Sequence, residues 1–319
     1  MSLRPHSERA VGVAPLIVGV DGSERSRDAL ALAVQLAEPG QGVLLAHVHP
    51  YGALSDLLSG DDYARLVREV AESTLSAAQE TLHPATERVM QLVSNRSPAA
   101  GLHDLAAEKD AALIVVGSSH RSGLGRVLAG SVAESVLAGS PVPVAIAPRG
   151  LAGSEESIRI VGCGFDGSAE AHEALAWAAD LARRRRARLA VLAVHARMAF
   201  GGVSSAGAFG YRSADDTLRR TFEQQMRDAI ASLEPGVEVS GRLLDGDPST
   251  ALVDASTELD LLALGSRGYG PVRAVLLGSV SRALVREGAC SVVVLPRGAS
   301  ANRSDAAQRP GSAGQERER

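Results

Sequence analysis

The sequence predicts an α/β protein of two tandem Rossmann-like domains, each a five-stranded parallel, doubly wound sheet with helices on both faces. Three observations carry that expectation. The chain repeats itself at about half its length. Short apolar segments alternate with amphipathic ones within each half. The first, fourth and fifth apolar segments are continuous runs, as in parallel strands buried on both faces.

The repeat preserves order. LIVGVDGS (Leu16–Ser23) returns as IVGCGFDGS (Ile160–Ser168), and LIVVGSS (Leu113–Ser119) as LLALGSR (Leu261–Arg267). LAGSVAESVL (Leu128–Leu137) returns as LLGSVSRALV (Leu276–Val285), and VAIAPRG (Val144–Gly150) as VVVLPRG (Val292–Gly298). The last three pairs share one offset, so this is a duplicated domain. The expected organisation is a disordered N-terminus over 1–13, a first domain over 14–150, a Gly/Ser/Glu linker over 151–157, a second domain over 158–298 and a polar, disordered tail over 299–319.

The second half shows the elements most clearly. Strands are expected at Arg159–Gly164, Arg188–His195, Val237–Leu244, Leu259–Leu264 and Ser291–Leu295. Helices are expected at Ala169–Arg185 behind an N-cap at Ser168, at Asp215–Leu233, from Pro248 to Glu258, and at Ser279–Glu287. His47 and His195 are read as ending equivalent strands in structural roles. Arg183–Arg186 is read as a solvated helix end whose charge complements the dipole. The first half reads the same way.

Composition narrows the function classes. Of 319 residues, 45% are apolar, enough for each half to bury its own core. Charged residues are 22% and the net charge is −4, which gives no general attraction to nucleic acid or an anionic membrane. Lys109 is the only lysine, so a mechanism built on a phosphate-binding lysine has almost no candidate. No apolar run approaches the roughly 20 residues that span a bilayer, and MSLRPHSERA lacks the apolar core of a signal peptide. The expected location is the cytoplasm, where Cys163 and Cys290 are buried strand thiols.

The segment after the fourth strand carries the chemistry. In the second half it reads GSRGYGPVRAVLLGS (Gly265–Ser279), a G-x2-G-x9-G-S pattern running from a strand end into a helix. Glycine at 265 and 268 lets backbone N–H groups approach an anion. Gly278-Ser279 opens a helix, where free N–H groups and the dipole favour phosphate. In the first half, GSSHRSGLGRVLAGS (Gly117–Ser131) keeps the spacing, but His120 replaces the second glycine.

This loop resembles the universal stress protein family in its ATP-binding branch, and the resemblance covers both halves, over Leu16–Arg149 and Ile158–Arg297. The family also has an Asp just after strand one, near adenine and ribose, matched by Asp21 and Asp166. Gly19 and Gly164 precede it, where a side chain would crowd the nucleotide. A residue after strand two reads the adenine edge; aligning on the histidines gives Val48 and Ala196. The resemblance thus implies a nucleotide site in each half. In the first half it comprises Gly19, Asp21, Val48, Gly117, Ser118, Ser119, His120, Arg121, Gly123, Gly130, Ser131 and Val132. In the second it comprises Gly164, Asp166, Ala196, Gly265, Ser266, Arg267, Gly268, Gly270, Gly278, Ser279 and Val280. Arg96 stands where Gly246 stands in the second half.

The implied cofactor is ATP, with any Mg²⁺ held mainly by the phosphates. No P-loop, HExxH, G-x-S-x-G or Cys/His metal cluster occurs in the sequence, and no base is placed to activate water. ATP is therefore expected to act as a regulatory ligand with at most slow turnover. Two other readings stay open: an interaction module with vestigial loops, and a nucleotide-using enzyme such as an adenylyl transferase. The resemblance also implies that the halves pair internally through their fifth strands, Val144–Ala147 against Val292–Leu295. A further homodimer of the whole chain is compatible with the same sequence.

Overall fold

A computed structural model of the chain describes residues 13–49, 69, 72–73, 76, 88–95, 97–119, 125, 127, 130–154, 157–196, 205–266 and 278–297. The first half runs β1 (Leu16–Gly19), α1 (Glu24–Leu36), β2 (Val43–His49), β3 (Arg88–Ser94), α2 (Pro98–Glu108), β4 (Leu113–Gly117), α3 (Ser131–Leu137) and β5 (Val144–Ala147). The second runs β6 (Ile160–Gly164), α4 (Ala169–Arg185), β7 (Arg188–His195), α5 (Ser205–Ala231), β8 (Val239–Asp245), α6 (Pro248–Ala255), β9 (Leu261–Gly265), α7 (Ser279–Glu287) and β10 (Ser291–Leu295). Residues 1–12 and 299–319, where most of the expected disorder falls, lie outside the described residues.

The ten strands form one sheet in the order β3-β2-β1-β4-β5-β10-β9-β6-β7-β8. Pairings within each half are parallel. The halves join through β5 and β10, which run antiparallel with Val292 opposite Ile146, Val293 opposite Ala145 and Val294 opposite Val144. Each half reverses strand order once, between β1 and β4 and between β6 and β9. Ligands of open α/β sheets bind at such reversals, beyond the carboxyl ends of the strands.

Period-two alternation sends neighbouring strand residues to opposite faces, and each face carries a core. Val18, Leu32, Leu181 and Val293 belong to one; Ile17, Leu137, Leu262 and Val294 belong to the other. Both cores contain residues from both halves, so the seam is interior. Helix α4 shows how sequence becomes packing. Ser168 caps its N-terminus by accepting from the Ala171 N–H at 3.1 Å. Ala171, Ala174, Leu175, Ala178, Leu181 and Ala182 recur at three- and four-residue spacing and are buried, and Arg186 ends the helix at φ 54°.

Three expectations change. Helix α5 begins at Ser205, not Asp215. Gly207 and Gly210 each cost a helix about 1 kcal/mol relative to alanine, which hides the earlier start. Helix α6 ends at Ala255, with a 3-10 turn completing it over Ser256–Glu258. The arginine run at the end of α4 is not simply solvated. Arg184 pairs with Glu38 at 2.6 Å, and Arg185 donates to the carbonyls of Val34 and Ala37 at 3.2 and 2.7 Å. These side chains cross the seam and satisfy the open C-terminus of α1. Burial, then the neighbouring Arg184, pulls the Arg185 pKa below its ordinary value.

The segment after β5 is also tied down. Buried Asp28 on α1 accepts from the N–H groups of Gly150 and Ala152 at 3.0 and 2.9 Å, and Leu151–Gly153 forms a 3-10 turn. Cys163 and Cys290 are buried free thiols. Burial, reinforced by the Asp166 carboxylate, pushes Cys163 up to about 12, so it stays protonated.

Candidate functional site

A cleft of about 220 Å³ opens at the strand-order reversal of the first half. Gly19, Asp21, Val48, Gly117, Ser118, Ser119, Gly130, Ser131 and Val132 all line it. Four segments bring them together: the ends of β1, β2 and β4, and the start of α3. Apolar side chains of Val20, Ala46, Val48, Leu102 and Val116 face the same space as Asp21, Arg25 and the serines. A flat apolar ring and a polyanion could therefore be accommodated side by side. His120, Arg121 and Gly123 lie outside the described residues, as do Arg267, Gly268 and Gly270 in the second half and Arg96.

The glycines of the pattern have different physical reasons. A Cβ at Gly117 would overlap the Arg25 carbonyl in the first turn of α1. At Gly265 it would lie 2.6 Å from the Glu170 carbonyl oxygen. The first glycine of the pattern is thus required by close helix–strand packing, before any anion is considered. Packing also bears on the glycines before the aspartates. A Cβ at Gly164 would run into Leu264, and one at Gly19 would lie 3.3 Å from Leu102. Gly130 is the exception: an added Cβ would meet only Ser119, at an ordinary 3.6 Å. Nothing among the described residues requires glycine there, and Gly130 lines the cleft. Gly130 is the N-cap of α3 and provides no side-chain cap. The first N–H groups of a helix have no partner within the helix.

Asp21 sits in an Asx turn. Its Oδ1 accepts from the Ser23 N–H at 3.0 Å and the Ser26 hydroxyl at 2.7 Å. Its Oδ2 pairs with Arg25 Nη2 at 2.9 Å. Burial pushes this carboxyl up, but hydrogen bonds from Ser23 and Ser26 and the Arg25 charge outweigh it, so its pKa falls below the ordinary aspartate value. A lowered folded-state pKa adds stability that is full above the unfolded value and disappears as pH falls through the folded value. The stability difference between wild type and Asp21→Asn should therefore be constant near neutrality and shrink only below the ordinary aspartate pKa. Urea denaturation at a series of acidic pH values checks this; a difference that grows on acidification contradicts it.

Arg25 was not among the residues picked from the sequence. Its signal is its place four residues after Asp21, in the first turn of α1. In the second half Glu170 occupies that place, as shown by its carbonyl under Gly265, and it pairs with Arg297 at 3.4 Å. Asp166 accepts from the Ser168 N–H at 3.0 Å. Gly164, Asp166, Gly265 and Ser266 gather at the ends of β6 and β9, with Gly278, Ser279 and Val280 opening α7. The hydroxyl of Ser266 is buried and has no hydrogen-bond partner among the described residues, an unmet polar group where the resemblance places a ligand.

Register corrects the pairing of Val48 with Ala196. Gly19 stands opposite Ala46 and Gly164 opposite Leu192. Asn95 donates to the His49 carbonyl as Gly246 does to that of His195. His195 is therefore the counterpart of His49, not His47, and Val48 corresponds to Val194. His47 donates from Nδ1 to the Val20 carbonyl at 2.8 Å. Buried His195 lies 3.1 Å from Asp215 and 3.6 Å from Asp245, in keeping with a structural role. Among the described residues no group of three or more His, Cys, Asp or Glu is arranged to hold a metal, and no helix is long and apolar enough to cross a membrane.

Comparison with known proteins places this geometry in a family. The model of the universal stress protein family matches the chain twice, over 13–148 and 157–296. A universal stress protein of Mycobacterium tuberculosis is 30% identical over 209 residues, 64% of this chain and 70% of that protein. One of Mycolicibacterium smegmatis is 28% identical over 291 residues, 88% of this chain and 96% of that protein. A crystal structure of a universal stress protein from Archaeoglobus fulgidus shares the fold, with a TM-score of 0.62 and 22% identity over 89% of this chain and 98% of that one. Two matches to one family model, in tandem and spanning most of the chain, agree with the duplicated architecture: the protein belongs to the universal stress protein family.

Proposed function

We propose that this protein is an ATP-binding regulator or sensor of the stress response, with at most slow hydrolysis, holding nucleotide in the first-half cleft and in the matching site of the second half. The observation that carries the reading is the cleft itself. It lies at the strand-order reversal, joins apolar side chains to Arg25 and the start of α3, and is kept open at Gly130, where no packing among the described residues demands a glycine. The second site rests on the same elements and on the Ser266 hydroxyl, which has no partner among the described residues. In this reading Gly117–Ser119 and Gly130–Ser131 face the phosphates, and Val48 and Leu102 face the base. Mg²⁺ rides on the phosphates, with the chain supplying no dedicated cage. ATP acts as a ligand whose binding biases the chain towards one partner-competent state.

The test is the nucleotide content of the purified full chain, read by ion-exchange chromatography after denaturation. About one or two ATP per chain, depending on whether the halves bind alike, supports the reading. A chain that carries no nucleotide and takes up none from added ATP overturns it, and favours an interaction module of the same fold.

A further inference from the structure

We infer that Arg25 is an anion-operated latch on Asp21, which makes the first-half cleft select charged nucleotides over neutral nucleosides. The inference rests on the nucleotide reading above and goes beyond it, to the residue that sets ligand charge and to a difference between the halves.

Both oxygens of Asp21 are engaged. Oδ1 is taken by Ser23 and Ser26, and Oδ2 by Arg25. Arg25 is steadied in turn by its Nε, which donates to the Ser23 hydroxyl at 3.0 Å. A neutral ligand that binds the Asp21 carboxylate competes with this guanidinium for Oδ2 and offers it nothing in exchange. A nucleotide offers phosphate oxygens within the same cleft, which Arg25, Ser119 and Gly130 all line. The guanidinium can exchange one oxyanion for another, and phosphate suits its forked donors as well as carboxylate does. The resting pair is weak enough to open: Arg25 is 36% exposed and Asp21 56%, and pairs this exposed contribute little to stability. Once Arg25 turns to the phosphates, Oδ2 loses its charged partner and accepts from the ligand without competition.

The second half lacks the latch. Glu170, 13% exposed, stands at the position of Arg25 and is committed to Arg297. Asp166 has hydrogen bonds only to its Oδ1, leaving Oδ2 without a partner among the described residues. The duplicated sites thus differ in charge at one corresponding residue: a cation that guards the aspartate in the first, an anion that leaves it open in the second.

The test is calorimetric titration of the full chain with ATP and, separately, with adenosine. Gly278→Glu serves as background to isolate the first half, and Arg25→Gln and Arg25→Lys are compared with Arg25. The intact Gly278 chain, where the change falls on one of two binding steps, is the control for folding of that background. Arg25→Gln is expected to weaken ATP about tenfold, the loss of one charge-assisted contact, and to strengthen adenosine about threefold by freeing Asp21. Arg25→Lys is expected to fall between. If Arg25→Gln changes both ligands by the same factor, or neither, the latch is overturned while the nucleotide reading stands. If wild type binds no ATP in either background, both fall.

Discussion

Val293→Asp is expected to unfold both halves together, lowering stability by about 4 kcal/mol or more. Val293 is fully buried on β10, opposite Ala145 of β5. A carboxylate there would have no partner and no water, and it would sit in a core that contains Val18 and Leu32 of the first half as well as Leu181 of the second. Because both cores cross the seam, the wild-type chain is expected to melt in one transition, with far- and near-ultraviolet circular dichroism coinciding. Val89→Asp is the control: Val89 is 54% exposed on β3, and its substitution should change stability by no more than about 0.5 kcal/mol. Two separated melting transitions, with only one shifted by Val293→Asp, would contradict a shared core.

Glycines of one sequence pattern are expected to behave oppositely. Gly117→Ala and Gly265→Ala should each cost about 3 kcal/mol, because the added methyl meets main chain in the first turn of α1 or α4, which cannot swing aside. Gly130→Asp should keep stability within about 0.5 kcal/mol, since aspartate is a better N-cap than glycine and the position has room. Urea denaturation of the three variants distinguishes the roles. Equal losses at Gly117 and Gly130 would mean that Gly130 is structural too.

The architecture was readable because the chain states it twice: one repeat aligned β4, α3 and β5 with β9, α7 and β10, and continuous apolar runs marked the buried strands. The first-half cleft residues were readable from the loop pattern and the aspartate after β1. Local spacing failed where three-dimensional neighbours decide. Two histidines two residues apart in β2, His47 and His49, point the same way along a strand, so sequence alignment chose the wrong one as the counterpart of His195. Arg184 and Arg185 read as a solvated helix end because their partners, Glu38 and the α1 carbonyls, belong to the other half. The packing roles of Gly164 and Gly265 were not legible, because the leucine and the carbonyl that a side chain there would meet are remote in sequence. Arg25 is not legible from the loop pattern because its value lies in a pairing across the N-cap of α1 and in its contrast with Glu170.

The account turns on Gly130 being open for phosphate, and the most direct test is calorimetric titration of ATP into wild type and Gly130→Asp, both confirmed folded by circular dichroism. The account predicts that the variant's carboxylate caps α3 in place of phosphate and repels it, so the first-half affinity falls about 100-fold while the fold is kept. ATP binding unchanged in a folded Gly130→Asp chain would contradict it.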